Sequence, residues 1–300
     1  MKKVTIAGGG VLGSQIALLN AYHGMDTVVW LRSPASIDRA KPKFEKAIHE
    51  ILADIDLAEK HPGYVPEGLK IDGQFDPQTA RKKILEAKDN IRFELDLAKA
   101  VDGTDLVIET VSEAAPDKIE FYKKMAPLLE DKTIVVTNSS TLLPSMFADA
   151  SGRPDRYLSL HFANHIWKNN LTEVMVQPKT DPQAFEAVIE YAKSIGMDPV
   201  AVRKEKSGYL LNSMLVPFLF SAMDLLVTGV SDVEDIDKAW IKGSGAPYGP
   251  FRILDSVGLE TARNIALMYS QIPDEMAPFH YKDIAKMLGE KIEKGEKFYS

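Results

Sequence analysis

Residues 8–13, Gly-Gly-Gly-Val-Leu-Gly, constrain this chain more than any other stretch. They follow Lys3 to Ala7, an apolar run with the length of a buried strand, and they precede Leu12 to Tyr22, where apolar residues recur at helical spacing. Strand, glycine turn and helix in that order predict a dinucleotide-binding unit. Gly8 permits the tight turn, Gly10 lets the backbone approach a pyrophosphate, and Gly13 lets the helix pack closely on its strand. Val11 and Leu12 open the helix, whose N–H groups and positive dipole end face the phosphates.

A chain of 300 residues has room for two domains, each with its own core. A net charge of -7 disfavours nucleic acid or an anionic membrane as the main partner. No apolar run approaches the roughly 20 residues of a membrane helix, and Met1-Lys2-Lys3 leads into a strand rather than a signal peptide. Without cysteine the chain has no disulfide, thiolate metal site or cysteine nucleophile. His23, His49, His61 and His280 lack companion ligands at metal spacing, so no metal is expected. The expectation is a cytoplasmic enzyme acting on a small molecule.

Strand-like runs at Thr27 to Leu31, Ile91 to Phe93, Leu106 to Ile108, Ile134 to Thr137 and Leu158 to His161 alternate with amphipathic segments. That alternation predicts an α/β domain of Rossmann type, a doubly wound parallel sheet covered by helices. Residues 36–90 are too long for one crossover and predict a helical insertion, with helices at 37–57 and 77–88 and a loop over the substrate side. Leu171 to Gln177 and Val200 to Arg203 bracket a helix at 182–195 and complete the sheet. From Ser207 the pattern turns helical, and Leu210, Leu211, Met214, Leu215, Phe218, Leu219, Met223, Leu225 and Leu226 predict a helix buried all round. Further helices are expected at 232–242, 258–270 and 280–294. The organisation is therefore a dinucleotide-binding domain over 1–205 and an all-α substrate and dimerisation domain over 206–300, with a homodimer as the expected assembly.

Four segments in order resemble the 3-hydroxyacyl-CoA dehydrogenase family. Beyond the glycine loop, Thr137-Asn138-Ser139-Ser140 stands where that family has Asn-Thr-Ser after its fifth strand. His161-Phe162-Ala163-Asn164 resembles its His-Phe-Phe-Asn, and Leu171-Thr172-Glu173-Val174 its Leu-Val-Glu-Val. Gly208-Tyr209-Leu210-Leu211-Asn212 resembles its Gly-Phe-Val-Asn helix opening. His165 and Trp167 replace two prolines usual in the family, and with Gly245 to Phe251 they resemble the diketoreductase-like members, which reduce dicarbonyl esters. The resemblance implies an oxidoreductase acting on a 3-hydroxy or 3-oxo carbonyl substrate, either a 3-oxoacyl-CoA or a small dicarbonyl compound. It also implies that Glu113 and Lys118 lie near the nicotinamide ribose, and it adds Asn138 and Asn164 to the cofactor-binding set.

Moving a hydride between an alcohol and a nicotinamide requires a group that takes and returns the hydroxyl proton near neutral pH, which favours histidine. His161, at the C-terminal end of a strand, is that candidate, and Glu173 in the next strand can accept from its other nitrogen. Ser140 can bond the reacting oxygen, and Asn212 that oxygen or the substrate carbonyl. After the second strand, Arg32 and Ser33 stand where an NAD site has a carboxylate, so NADP(H) is favoured, with NAD(H) as the alternative if Arg32 instead stacks on adenine. Lys41, Lys43 and Lys46 are either contacts for the phosphates of coenzyme A or a solvated face. Two rival readings are a lysine-dependent hydroxyacid dehydrogenase using Lys204 or Lys206, and a non-catalytic nucleotide-binding protein.

Overall fold

Strands covered on both faces must be apolar at almost every position, and Leu106-Val107-Ile108 and Ile134-Val135-Val136 meet that condition. In the computed structural model, which describes residues 1–273 and 275–299, both runs lie inside an eight-stranded sheet. Its strands are β1 (Lys3–Ala7), β2 (Asp26–Trp30), β3 (Ile91–Glu94), β4 (Leu106–Glu109), β5 (Ile134–Thr137), β6 (Tyr157–Phe162), β7 (Leu171–Met175) and β8 (Asp198–Val202). Their order is β3-β2-β1-β4-β5-β6-β7-β8, and the first six are parallel, as in a doubly wound dinucleotide fold. The helices of this unit are α1 (Val11–Tyr22), α2 (Pro34–Lys60), α3 (Pro77–Asn90), α4 (Leu97–Val101), α5 (Ala115–Met125) and α6 (Pro182–Ser194).

The two-residue period of a strand sends neighbouring side chains to opposite cores. Ile6, Ile108, Val136 and Leu160 pack with α1, α2, α3 and α6, whereas Val107, Val135 and Tyr157 pack with Phe121, Tyr122 and Met125 of α5. Glu109, Thr137 and His161 share the parity of the second set, so they sit on the α5 face at the carboxyl ends of their strands.

The all-parallel expectation needs correction at β7, which runs antiparallel to β6, while β8 is parallel to β7. Residues 163–170 are too few for a parallel crossover, which takes a dozen or more. Phe44, Ile51 and Ile55 of α2 and Ile84 of α3 join the core with α1, so both helices of the insertion are built into the fold.

A second compact unit begins at Leu211, and the first runs from Met1 to Leu210. It holds α7 (Leu211–Val227), α8 (Val233–Ser244), α9 (Pro250–Val257), α10 (Leu259–Tyr269) and α11 (Tyr281–Lys294) around Leu219, Phe220, Met223, Phe251, Leu254, Ile284 and Leu288. Contrary to the sequence pattern, α7 is not buried all round: Met214 is 67% and Leu225 40% exposed. The unit's core covers one side of α7, where Leu219, Phe220, Ala222 and Met223 are buried. Helix α9 lies between the helices expected at 232–242 and 258–270, in a stretch where no helix was expected. Among the described residues no helix is long and apolar enough to cross a membrane.

Candidate active site

The glycine loop has the geometry its spacing demands. Gly8 adopts φ +127, and a Cβ there would meet Thr110 O at 2.7 Å. On Gly13 a Cβ would lie 2.3 Å from Gly8 O, so α1 can approach β1 only through glycine. Gly9, which the spacing leaves unassigned, packs against α2, with Ala40 Cβ 2.7 Å from its notional Cβ. Gly10 differs: its backbone is extended and a Cβ would meet nothing within 4 Å. The fold itself does not need glycine at that position, whereas a phosphate resting on the N-terminus of α1 does. Gly10, Val11, Leu12 and Gly13 line a cleft of about 300 Å³ together with Glu113, Lys118, Asn138 and Asn164. The cleft's floor and its donors therefore fit a nicotinamide dinucleotide.

His161 lies at the end of β6, and the antiparallel pairing sets it directly opposite Glu173 on β7. Its Nδ1 is 3.0 Å from Glu173 Oε2 and its Nε2 is 3.1 Å from Ser140 Oγ. An ionised carboxylate only accepts, so Nδ1 carries the proton and Nε2 presents its lone pair to the Ser140 hydroxyl. Glu173 Oε1 accepts from the Leu210 N–H at 2.8 Å. The Tyr209 ring stacks on the imidazole at a centroid distance of 4.5 Å. Asn138 does not point its carbonyl oxygen into the cleft; Oδ1 accepts from the Phe162 N–H at 2.9 Å and so ties the end of β6 to the loop after β5.

Glu109, at the end of β4, was not singled out by the sequence reading. Fully buried, it accepts from Lys118 Nζ at 2.7 Å, Tyr122 Oη at 2.7 Å, Thr137 Oγ1 at 2.8 Å and the Val111 N–H at 2.8 Å. Lys118, itself buried, also lies 3.3 Å from Glu113 Oε2, so its ammonium bridges two carboxylates in the cleft wall. Burial favours the neutral acid at Glu113, but the Ser139 hydroxyl, the Lys118 ammonium and the Thr141 hydroxyl outweigh it and hold the carboxyl below its ordinary range. Burial, and then the Glu109 charge, push the Tyr122 phenol well above its usual value, so it stays a donor. One signal was available in the sequence: an acidic residue closing the otherwise apolar run Leu106 to Ile108.

Other expected residues lie elsewhere. Arg32 is exposed beyond the end of β2, and the Ser33 hydroxyl is 2.9 Å from that of Ser36, to which Arg39 also donates at 2.9 Å. Asn212 occupies the first turn of α7 in the second unit. Trp167 is a packed core indole, donating to Asp54 Oδ2 at 2.6 Å, and His165 is not in the cleft lining but turns toward Glu50, 3.9 Å away. His280 pairs with Asp224 at 2.9 Å. Lys41, Lys43 and Lys46 are exposed on α2. Glu205, in the charged run before Gly208, is held by the Ser145 N–H at 2.7 Å rather than being wholly solvated. Among the described residues, no group of three or more His, Asp or Glu side chains is placed to hold a metal ion.

The family model for the 3-hydroxyacyl-CoA dehydrogenase NAD binding domain matches residues 3–206, and that for the C-terminal domain matches residues 208–299. The chain belongs to the 3-hydroxyacyl-CoA dehydrogenase family. It is accordingly an oxidoreductase acting on CH–OH groups, with a nicotinamide dinucleotide as its cofactor. Among family members, it is 32% identical over 280 residues to the mitochondrial hydroxyacyl-coenzyme A dehydrogenase of Homo sapiens, covering 93% of this chain and 83% of that protein. It is 29% identical over 267 residues to a 3-hydroxybutyryl-CoA dehydrogenase of Mycobacterium tuberculosis, covering 89% of this chain and 85% of that one. A solved diketoreductase, described as acting on dicarbonyl compounds, is 42% identical with a TM-score of 0.82, covering 100% of this chain and 98% of that one.

Proposed function

We propose that the chain interconverts a carbonyl and a hydroxyl group on a 3-oxo or 3-hydroxy substrate, with His161 as the acid and base. The observation that carries this reading is the His161 imidazole held between Ser140 and Glu173, with the adjoining Asn138 and Ser139 lining the cleft of the glycine loop. When bound, the dinucleotide supplies the hydride acceptor or donor. In the reductive direction Nε2 gives a proton to the carbonyl oxygen, and in the oxidative direction it takes that proton back. Ser140 bonds the same oxygen, while Glu173 holds the ring's tautomer and offsets the positive charge of the imidazolium. Asn212 is assigned to the substrate on the resemblance. Gly8, Gly10, Val11, Leu12 and Gly13 hold the pyrophosphate, and Glu113, Lys118, Asn138 and Asn164 serve the nicotinamide end. His161→Ala should lower kcat by about 10²- to 10⁴-fold while cofactor binding is retained. Near-normal turnover in that variant would remove His161 from the mechanism.

The substrate reading follows the diketoreductase, because it shares more sequence with this chain than the hydroxyacyl-CoA relatives do. A panel of acetoacetyl-CoA against a small dicarbonyl ester, followed at 340 nm, decides between them. We assign NADP(H) as the preferred cofactor, because the end of β2 carries Arg32 and Ser33 beside Ser36 and Arg39. The KM for NADPH should be the lower one, and Arg32→Ala should erase the difference. The apolar side chains exposed on the second unit, among them Met214, Val230 and Met268, favour a homodimer, which light scattering in solution tests.

A further inference from the structure

Two consecutive residues before the second unit, Gly208 at φ +80 and Tyr209 at φ +52, turn the chain through the left-handed region. Glycine accepts that conformation readily, whereas an aromatic residue adopts it only where its surroundings hold it there. The turn lays the Tyr209 ring flat on His161, 16° from parallel at 4.5 Å, and brings the next N–H onto Glu173. The Tyr209 hydroxyl donates to the Ser139 carbonyl at 2.7 Å, one residue before Ser140. Both hydrogen-bond partners of the imidazole, and the imidazole itself, are thus tied to one short segment. The resembling family opening has phenylalanine at this place, which has the ring but lacks the anchor.

We propose that Tyr209 is a positioning residue for His161: its face fixes the plane of the imidazole, and its hydroxyl fixes that ring to the Ser139–Ser140 loop. This rests on the acid and base role assigned to His161. The charged groups acting on the Tyr209 phenol are Glu173, Glu113 and Glu109. Burial raises the Tyr209 phenol above its ordinary value, so its hydroxyl keeps its proton and stays a donor throughout the working range.

The test compares Tyr209→Phe and Tyr209→Leu in the full-length protein, with NADPH affinity and thermal midpoint recorded beside kcat. Tyr209→Phe keeps the stack and loses the anchor. Its kcat should fall about 3- to 10-fold, with the pH profile of reduction unchanged. Tyr209→Leu loses both, so kcat should fall about 10- to 100-fold while NADPH affinity is retained. Unchanged kcat in Tyr209→Phe overturns the anchor, and that result stands even if Tyr209→Leu does not fold. Unchanged kcat in a folded Tyr209→Leu overturns the stack. If His161→Ala is inactive while both tyrosine variants behave as wild type, only this inference falls. If His161→Ala is fully active, the reading beneath it falls too.

Discussion

A single buried carboxylate organises the wall of the cleft. Glu109 offsets the Lys118 charge and occupies the Tyr122 and Thr137 hydroxyls, so removing its charge leaves Lys118 with half-exposed Glu113 alone. Glu109→Gln is expected to destabilise the protein by about 1–3 kcal/mol, read as a lower denaturant midpoint at unchanged slope, and to weaken binding of the nicotinamide dinucleotide. A wild-type midpoint would show that the carboxylate's charge contributes nothing to the fold. His161, Glu173 and Ser140 were legible in sequence because their order and spacing resemble a known pattern. Glu109 was not, because one acidic residue ending an apolar strand differs in no local way from a strand-edge charge. Its four donors come from β5, α5 and the loop after β4, and only folding gathers them.

At the level of elements, the interplay of α1 with its surroundings yields two predictions. Gly13→Ala places a methyl 2.3 Å from Gly8 O, so α1 must move away from β1. Cofactor affinity should then fall at least tenfold in a fluorescence titration, and unaltered affinity would mean that the close approach is dispensable. At the end of α1, His23 Nε2 donates to Gly68 O at 2.9 Å, and burial lowers the ring's affinity for a proton despite that bond. Because the folded ring binds a proton less readily than the unfolded one, the unfolded chain is protonated first as the pH falls below about 6.5. Stability should therefore decline from that pH downward, less steeply in His23→Gln, and parallel curves for the two proteins would acquit His23. Helix and strand positions were largely legible, because their apolar periods are local. The direction of β7 was legible only by counting the residues between it and β6, and the exposed face of α7 not at all.

For the molecule as a whole, the two units have separate cores, and the tryptophans divide between them: Trp30 and Trp167 in the first, Trp240 in the second. In Trp240→Phe the indole signal reports the first unit alone. The nicotinamide dinucleotide at 100 times its Kd should stabilise that transition by about 2.7 kcal/mol. A transition unmoved by cofactor would place the binding site outside residues 1–210. The amino-acid order by itself determined the alternation of strands and helices, the change to an all-helical second part, the glycine turn and the identity of the His-Glu pair. These depend on periods of two or 3.6 residues, or on residue types at short spacing, and such signals survive in one dimension. Tertiary structure decided what β7 faces, which side of α7 is covered, how Lys118 is neutralised and which ring lies against His161. Each of those needs groups from separate strands and loops to meet at one point, and no local rule encodes a contact between residues 161 and 209.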